Sequence, residues 1–287
     1  MINLSIVTVN RNDEAGLTLT AASVAPLVGP EVEWLVIDGG SSDGSPEVIN
    51  RYHKLITYAQ SRPDGGVYDA MNQGLRRARG RFVLFMNAGD RFAAPDSLDP
   101  LLPLLAADGA PDLLFGGAIL ELPCGRRVVR AARSPDRYLR YGLPACHQAT
   151  VFRREAHLEA FYDPAYRITG DYALIARLLR NGATWRCVDD LIAIRACSPR
   201  SLSERRWARR ILEATRVQKT ILALSPRQRL QGAAHLMLSH VAYVGLRHLS
   251  RLQPRRLALP RLDLSTFRRN WGGDAAGPQR RRIAAGS

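Results

Sequence analysis

The apolar run Phe82-Val-Leu-Phe-Met86 stops at Asn87-Ala-Gly-Asp90, and Glu33-Trp-Leu-Val-Ile37 stops the same way at Asp38-Gly-Gly-Ser-Ser-Asp-Gly44. Short apolar runs closed by turn residues read as strands buried on both faces. In open α/β sheets, ligands bind outside the carboxyl ends of such strands. Two strand-end aspartates in one half of a chain therefore point to a nucleotide and a metal ion.

The surrounding pattern builds such a sheet. Leu4–Val9 reads as a first strand, Asp13 to Val28 as a helix capped near Asn12 or Asp13, and Trp34–Ile37 as a second strand. Ser45–His53 reads as a helix, Leu55–Gln60 as a strand, Tyr68–Ala78 as a helix stopped by Gly80, and Phe82–Met86 as a fourth strand. Strands alternating with helices indicate βαβ units and an α/β fold with a mainly parallel sheet. After Asp112 the pattern changes. Leu113–Leu122 and Arg127–Ala132 bracket Pro123-Cys-Gly125 as a hairpin, and Leu143–Phe152 reads as a loop and strand. Gly170–Asn181 predicts a helix, then Thr184–Val188 and Leu191–Ala196 two late strands.

Charge divides the 287 residues unevenly. Residues 1–199 hold 22 Lys+Arg and 22 Asp+Glu, whereas residues 200–287 hold 19 and 4, which accounts for the whole net charge of +15. This is a neutral body with a basic appendage that seeks an anionic partner. The cysteines, Cys124, Cys146, Cys187 and Cys197, include no Cys-x-x-Cys pair, which argues against zinc and for reduced thiols. The expectation is that no leader precedes the first strand, and no apolar run reaches the roughly 18 residues that cross a bilayer. A cytoplasmic location is the expectation.

Four segments carry chemistry. The glycines and serines after Asp38 let a ligand approach backbone N–H groups, and Asp38 can accept from a nucleobase or simply cap its turn. Strand one ends in Val9-Asn-Arg-Asn-Asp-Glu14 without glycine, which argues against a dinucleotide dehydrogenase. In Arg62-Pro-Asp-Gly-Gly-Val-Tyr-Asp-Ala-Met-Asn-Gln-Gly74, Asp69 and Asn72 share one helical face with Gln73 beside them. Asp90 suffices as a single carboxylate for a hard divalent ion that also binds substrate phosphates, or else it closes a turn. Asp171 opens the late helix, as a cap or as a base.

In this order, Thr8-Val-Asn10, Asp38–Gly44, Pro63–Gly74 and Asn87–Asp90 resemble the inverting glycosyltransferases of family 2, and among them the subgroup that builds bacterial exopolysaccharides such as colanic acid. The resemblance spans about residues 2–197. It implies a GT-A fold, with a Rossmann-like, mainly parallel central sheet flanked by helices. It implies a nucleotide-sugar donor, with Thr8, Asn10 and Asp38 around the base and ribose, and Arg62, Asp69, Asn72 and Asn87 along the donor pocket. Asn87–Asp90 corresponds to the family's Asp-x-Asp region, usually Asp-Ser-Asp-Asp, so Mg2+ or Mn2+ would rest on Asp90. Asp171 matches the second acid of a Glu-Asp pair that supplies the base, with Gly170 where the Glu would be. His147 and Gln148 fall near the acceptor, and Arg195 or Arg200 near the diphosphate.

The expected organisation is a glycosyltransferase domain over 1–199, a basic helical appendage over 200–262, and a disordered tail over 263–287. Residues 204–222 predict an amphipathic helix with Trp207, Ile211, Ala214, Gln218 and Ile221 on one face and Arg205, Arg209, Arg216 and Lys219 opposite. A second helix is predicted over 228–250. The basic region fits an anionic membrane surface, on the inner face of the cell membrane. It also fits packing on its own domain or in a homodimer, and no motif supports nucleic acid. The expected acceptor is a glycan, polyprenyl-linked in polysaccharide assembly. The competing expectation is a catalytically silent nucleotide-binding scaffold.

Overall fold

The structure, a computed structural model, describes residues 2–123, 125, 127–197 and 206–252. Strands and helices alternate through β1 (Leu4–Asn10), α1 (Glu14–Val24), β2 (Val32–Asp38), α2 (Ser45–Arg51), β3 (Ile56–Ser61), α3 (Val67–Arg77) and β4 (Phe82–Phe85). Then follow β5 (Arg91–Phe92), α4 (Leu102–Ala106), β6 (Leu113–Glu121), β7 (Arg127–Arg130), α5 (Pro135–Tyr138), β8 (Thr150–Arg153), α6 (Arg154–Ala160), α7 (Gly170–Arg180) and β9 (Trp185–Ala196). The chain continues into α8 (Trp207–Thr220) and α9 (Pro226–Leu252).

Among the described residues the strands form one sheet, ordered β3-β2-β1-β4-β8-β6-β9-β5, with β7 on β6. Every residue of β1 and β2 is buried, as in a parallel sheet covered on both faces. Alternation decides which layer each side chain joins. Val7, Val9, Leu35, Ile37 and Phe85 pack under α3, α7 and α8. Leu4, Ile6, Trp34, Val36 and Leu84 pack under α1. The sheet is parallel over β3, β2, β1 and β4 and again at β6–β9. The pairs β4–β8, β6–β8, β6–β7 and β5–β9 are antiparallel. The expected parallel character thus belongs to the first half, and the second half is mixed.

Two predicted boundaries move for local reasons. Pro26 has no N–H for the helical ladder, so α1 ends at Val24 and the chain tightens into a 3-10 turn over Ala25–Leu27. The two late strands are one 12-residue strand, β9, whose register against β6 shifts near Phe115–Ala118. That irregularity absorbs the polar Asp189-Asp190 step that reads as a break in the sequence.

The basic region is less of an appendage than its charge suggests. Ala214 and Val217 of α8 are buried in the same apolar cluster as Tyr68, Tyr172 and Leu174. Gln218 donates to the carbonyl of Arg140 at 2.9 Å. Of the readings of the basic amphipathic helix, packing on its own domain is therefore the one seen for α8. On α9, Leu236 is buried, and His235 bonds the Tyr138 hydroxyl at 2.9 Å. Leu230, Met237, Leu238 and Val241 face outward. No helix among the described residues is long and apolar enough to cross a membrane. Arg200 and the 263–287 tail lie outside the described residues.

Candidate active site

β1 and β2 run parallel and in register, so Asn10 and Asp38 end side by side. Asp38 is fully buried. Its carboxylate accepts from Asn10 Nδ2 at 2.8 Å, the Ser41 amide at 2.9 Å, the Ser41 hydroxyl and the Ser61 hydroxyl at 2.6 Å. Burial alone would raise its pKa, but the bonds from Ser41, Ser61 and Asn10 outweigh that and hold the carboxyl below its usual range. A carboxylate has about four lone-pair sites, and all are engaged here. Asp38 therefore builds the turn, and a base contact from it would replace one of these donors. Asn10 Oδ1, buried and without a partner, is the open acceptor at this corner. Thr8, expected beside the nucleotide, is instead wholly internal, its hydroxyl accepting from the Trp34 indole at 3.0 Å.

The Asn87–Asp90 turn follows β4, the next strand of the sheet. α1 grips it: Thr20 Oγ1 donates to the Asp90 carbonyl at 2.6 Å and accepts from the Gly89 amide at 3.0 Å. The approach is so close that a Cβ at Gly16 would lie 2.8 Å from that amide. Asp90 is 6% exposed. Its oxygens accept from Gln148 Nε2 at 2.6 Å and from the Ala196 amide at 2.9 Å. Burial raises its pKa to about 6 against the opposing pull of Arg195 and these two donors. Two lone-pair sites remain, and Asn87 Oδ1 at the same turn is buried and unpartnered. No group of three acidic, His or Cys side chains gathers among the described residues. A Mg2+ or Mn2+ ion would be held here by Asp90, with Asn87 Oδ1 beside it, and would supply charge neutralisation for a diphosphate.

Asp171 lies in the first turn of α7, half-buried. It accepts from the Tyr172 amide at 2.8 Å, and the Tyr68 hydroxyl lies 3.4 Å from its Oδ1, the long branch of a shared donor. Burial raises its pKa, opposed by the Tyr172 amide and by Arg210 and Arg195. Arg195 acts on Asp90 as well, so one guanidinium lowers the proton affinity of both acids. Gly170 stands where the family's Glu would be. The Tyr68 ring occupies that space, and a Cβ at Gly170 would lie 2.7 Å from it. Tyr68 in turn donates to the Ile168 carbonyl at 2.8 Å.

Glu213, on α8, completes this corner and was invisible in the sequence. It accepts from the amides of Arg167 at 3.1 Å, Ile168 at 2.9 Å and Thr169 at 3.0 Å, and pairs with Arg209 at 2.9 Å. Those amides lead into α7, so a carboxylate from the basic helix holds the segment that enters the helix carrying Asp171. Helical periodicity places Glu213 among arginines on a face that reads as solvated, and nothing in the spacing signals its partner.

The other expected residues divide. Asp69 opens α3 and accepts from the Gly65 amide and Gln73 Nε2, each at 2.9 Å, while Arg62, exposed, reaches Gln73 Oε1 at 3.4 Å. Asn72 is buried and clasps the Tyr162 backbone with both ends of its amide, each at 2.9 Å. His147, expected near the acceptor, sits in a core cluster of Phe85, Phe152 and Tyr162, bonded to the Tyr162 hydroxyl at 2.5 Å. Burial lowers its pKa to about 4, so it stays neutral. Its neighbour Gln148 does reach the site, through Asp90. A cavity of about 240 Å3 opens beside Tyr68, lined by Asp69, Tyr166, Arg167, Ile168, Arg206 and Arg209 among others.

The same architecture and sequence pattern occur in known proteins. The model of "Glycosyl transferase family 2" matches residues 5–166. An uncharacterized glycosyltransferase of Mycobacterium tuberculosis is 34% identical over 194 residues, covering 64% of this chain and 72% of its own. A PGL/p-HBAD biosynthesis glycosyltransferase of Mycobacterium bovis is 30% identical over 185 residues, covering 62% and 70%. Among solved structures, S. aureus TarS 1–349 in complex with UDP-GlcNAc superposes with a TM-score of 0.61 at 16% identity, covering 84% of this chain and 73% of that one. The mannosyltransferase PcManGT of Pyrobaculum calidifontis, in complex with GDP-Man and Mn2+, gives 0.61 at 17% identity, covering 90% and 76%. These likenesses place the fold, and the family model places the sequence: this chain belongs to glycosyltransferase family 2.

Proposed function

We propose that this chain transfers a sugar from a nucleoside-diphosphate sugar to a glycan acceptor, with inversion at the anomeric carbon, in the assembly of a bacterial cell-surface polysaccharide or glycolipid. The observation that carries the reading is Asp171, a half-buried carboxylate of raised proton affinity that shares Arg195 with Asp90. The donors bound to the related folds, UDP-GlcNAc in one and GDP-Man in the other, support the donor class. The unpartnered Asn10 and Asn87 oxygens mark polar acceptors for the nucleotide end.

In the proposed step Asp171 takes the proton of the acceptor hydroxyl as its oxygen bonds the anomeric carbon. The bond from that carbon to the diphosphate breaks, and the diphosphate leaves with the electron pair. Arg195 lies where its charge neutralises the departing oxygens. A divalent cation held by Asp90 would add to that neutralisation when bound. Tyr68, whose hydroxyl proton is held tightly by burial and the nearby Asp171, orients the carboxylate and does not compete for the proton.

The test is a donor screen with Mn2+ on wild type and on Asp171→Asn. Wild type should turn over at least one nucleotide-sugar. The variant should lose roughly 10²–10⁴-fold in rate with nucleoside-diphosphate affinity retained. Turnover kept in the variant removes the base assignment, and nucleotide binding without any turnover in wild type leaves a silent nucleotide-binding protein. The lipid-linked acceptor is part of the proposal. Its support is the outward apolar row of Leu230, Met237, Leu238 and Val241 in a region of high positive charge, which suits an anionic membrane surface. Co-sedimentation with phosphatidylglycerol vesicles should occur at low salt. Vesicle-independent self-association would assign that row to a second copy instead.

A further inference from the structure

We propose that the cleft walled by α8 binds an anionic group of the acceptor, a phosphate or diphosphate. The proposal rests on Asp171 being the base of a glycosyltransferase. Two loop segments and two helix starts form the cleft: the turn before α3, the 164–168 segment, the first turn of α3 and the start of α8. Its volume of about 240 Å3 lies below the roughly 300–1,000 Å3 of pockets that enclose a whole drug-sized ligand. A headgroup-sized anion suits it better than an entire nucleotide-sugar.

The lining is positively charged where charge is available. Arg167, Arg206 and Arg209 face one carboxylate, Asp69, which is already engaged by the Gly65 amide and Gln73. Arg209 uses its Nε on Glu213, which leaves the terminal nitrogens for a ligand. Arg167 uses Nη1 on the Gly65 carbonyl at 2.9 Å. The Arg206 guanidinium makes no hydrogen bond or ion pair among the described residues. Planar guanidinium donors match phosphate oxygens in pairs.

The position of Asp171 decides which substrate this is. On one side the charge of Arg195 acts on both Asp171 and Asp90, and the amide of the next residue, Ala196, donates to Asp90 at 2.9 Å. On the other it meets the Tyr68 hydroxyl, and Tyr68 and Ile168 line the cleft. An inverting displacement needs the base on the acceptor's side of the anomeric carbon, away from the leaving diphosphate. The cleft therefore serves the acceptor, and the strand ends serve the donor. The anionic group can be the diphosphate that links a sugar to a lipid, or a phosphate on the glycan itself.

Calorimetric titration of inorganic pyrophosphate tests the cleft in full-length protein saturated with UDP or GDP, whichever binds. Pyrophosphate should bind the nucleotide complex. Arg206→Glu should weaken it at least tenfold while nucleotide affinity stays within twofold. Absence of pyrophosphate binding in the presence of nucleotide, or equal binding by the variant, overturns the proposal. Transfer assays then separate the sources. A higher KM in Arg206→Glu for a farnesyl-diphosphate-linked sugar assigns the linking diphosphate, and for a phosphorylated glycan it assigns the glycan phosphate. An equal rise for a neutral alkyl glycoside overturns an anion subsite. Failure of the glycosyltransferase reading would show separately, as absence of donor turnover in wild type.

Discussion

Asp38 and Asp90 end neighbouring parts of one sheet, yet their chemistry diverges through the lone pairs that remain. Asp38 has four protein donors and a lowered pKa, whereas Asp90 has two and a pKa raised to about 6. Asp38→Asn offers two lone pairs to four donors and puts an N–H against some of them. It should cost about 2 kcal/mol, read as a lower denaturation midpoint. The pair was visible in the sequence as two acidic strand ends. Their division of labour was not, because it depends on Ser61, Gln148 and the Ala196 amide, which arrive from distant segments. Histidine shows the same limit. His157 is buried against Phe85, Phe152 and Tyr162, with neither ring nitrogen bonded, and burial lowers its pKa to about 3. The unfolded chain binds this proton below about pH 6.5 and the folded one does not, so stability is complete above that pH and falls as pH drops toward 3. The penalty reaches at most about 5 kcal/mol. His157→Phe should therefore lose less Tm than wild type between pH 7.5 and pH 5, and parallel losses would remove His157 as the acid-sensitive group.

At the scale of elements, α8 changes the meaning of the basic C-terminal region. A run of arginines reads as a surface seeking an anion, and the outer face of α8 keeps that property. Its inner face supplies Ala214, Val217 and the Glu213 carboxylate, which holds the amides of residues 167–169. Burial opposes ionisation of Glu213, but those amides and Arg209 prevail and hold its pKa below the usual range. Glu213→Ala should orphan these donors, costing about 1–3 kcal/mol. It should also lower kcat through the displaced Asp171 while the donor KM stays unchanged. A variant that loses only stability would show that the Glu213 brace does not position Asp171. The elements of the first half were legible because each βαβ step repeats one hydrophobic pattern. α4, α5, α6 and β5 were not, since each is too short for periodicity to exceed the noise of its neighbours.

At the scale of the whole molecule, the sheet is one object and its cover includes the C-terminal helices. The expected boundary at residues 199 and 200 follows the charge and does not follow the packing. A fragment ending at residue 199 should expose the cluster that Ala214, Val217, Leu222 and Leu236 seal. It should give little soluble protein, and fast amide exchange in α7 where any is recovered. A cooperative fragment with wild-type Tm would restore the two-domain reading. The family model ends at residue 166, one residue before the first amide that Glu213 holds. A crossover between relatives at that point would carry Asp171, Arg195 and the carboxylate that braces their corner as a single inherited block. The strand ends at Asn10, Asp38 and Asp90 would stay behind with the other parent. On the roles proposed above, shuffling at that seam would exchange the base and the Arg206 and Arg209 wall of the cleft while its Gly65–Asp69 wall stayed, so acceptor choice would shift by one wall at a time and nucleotide recognition would not be rebuilt.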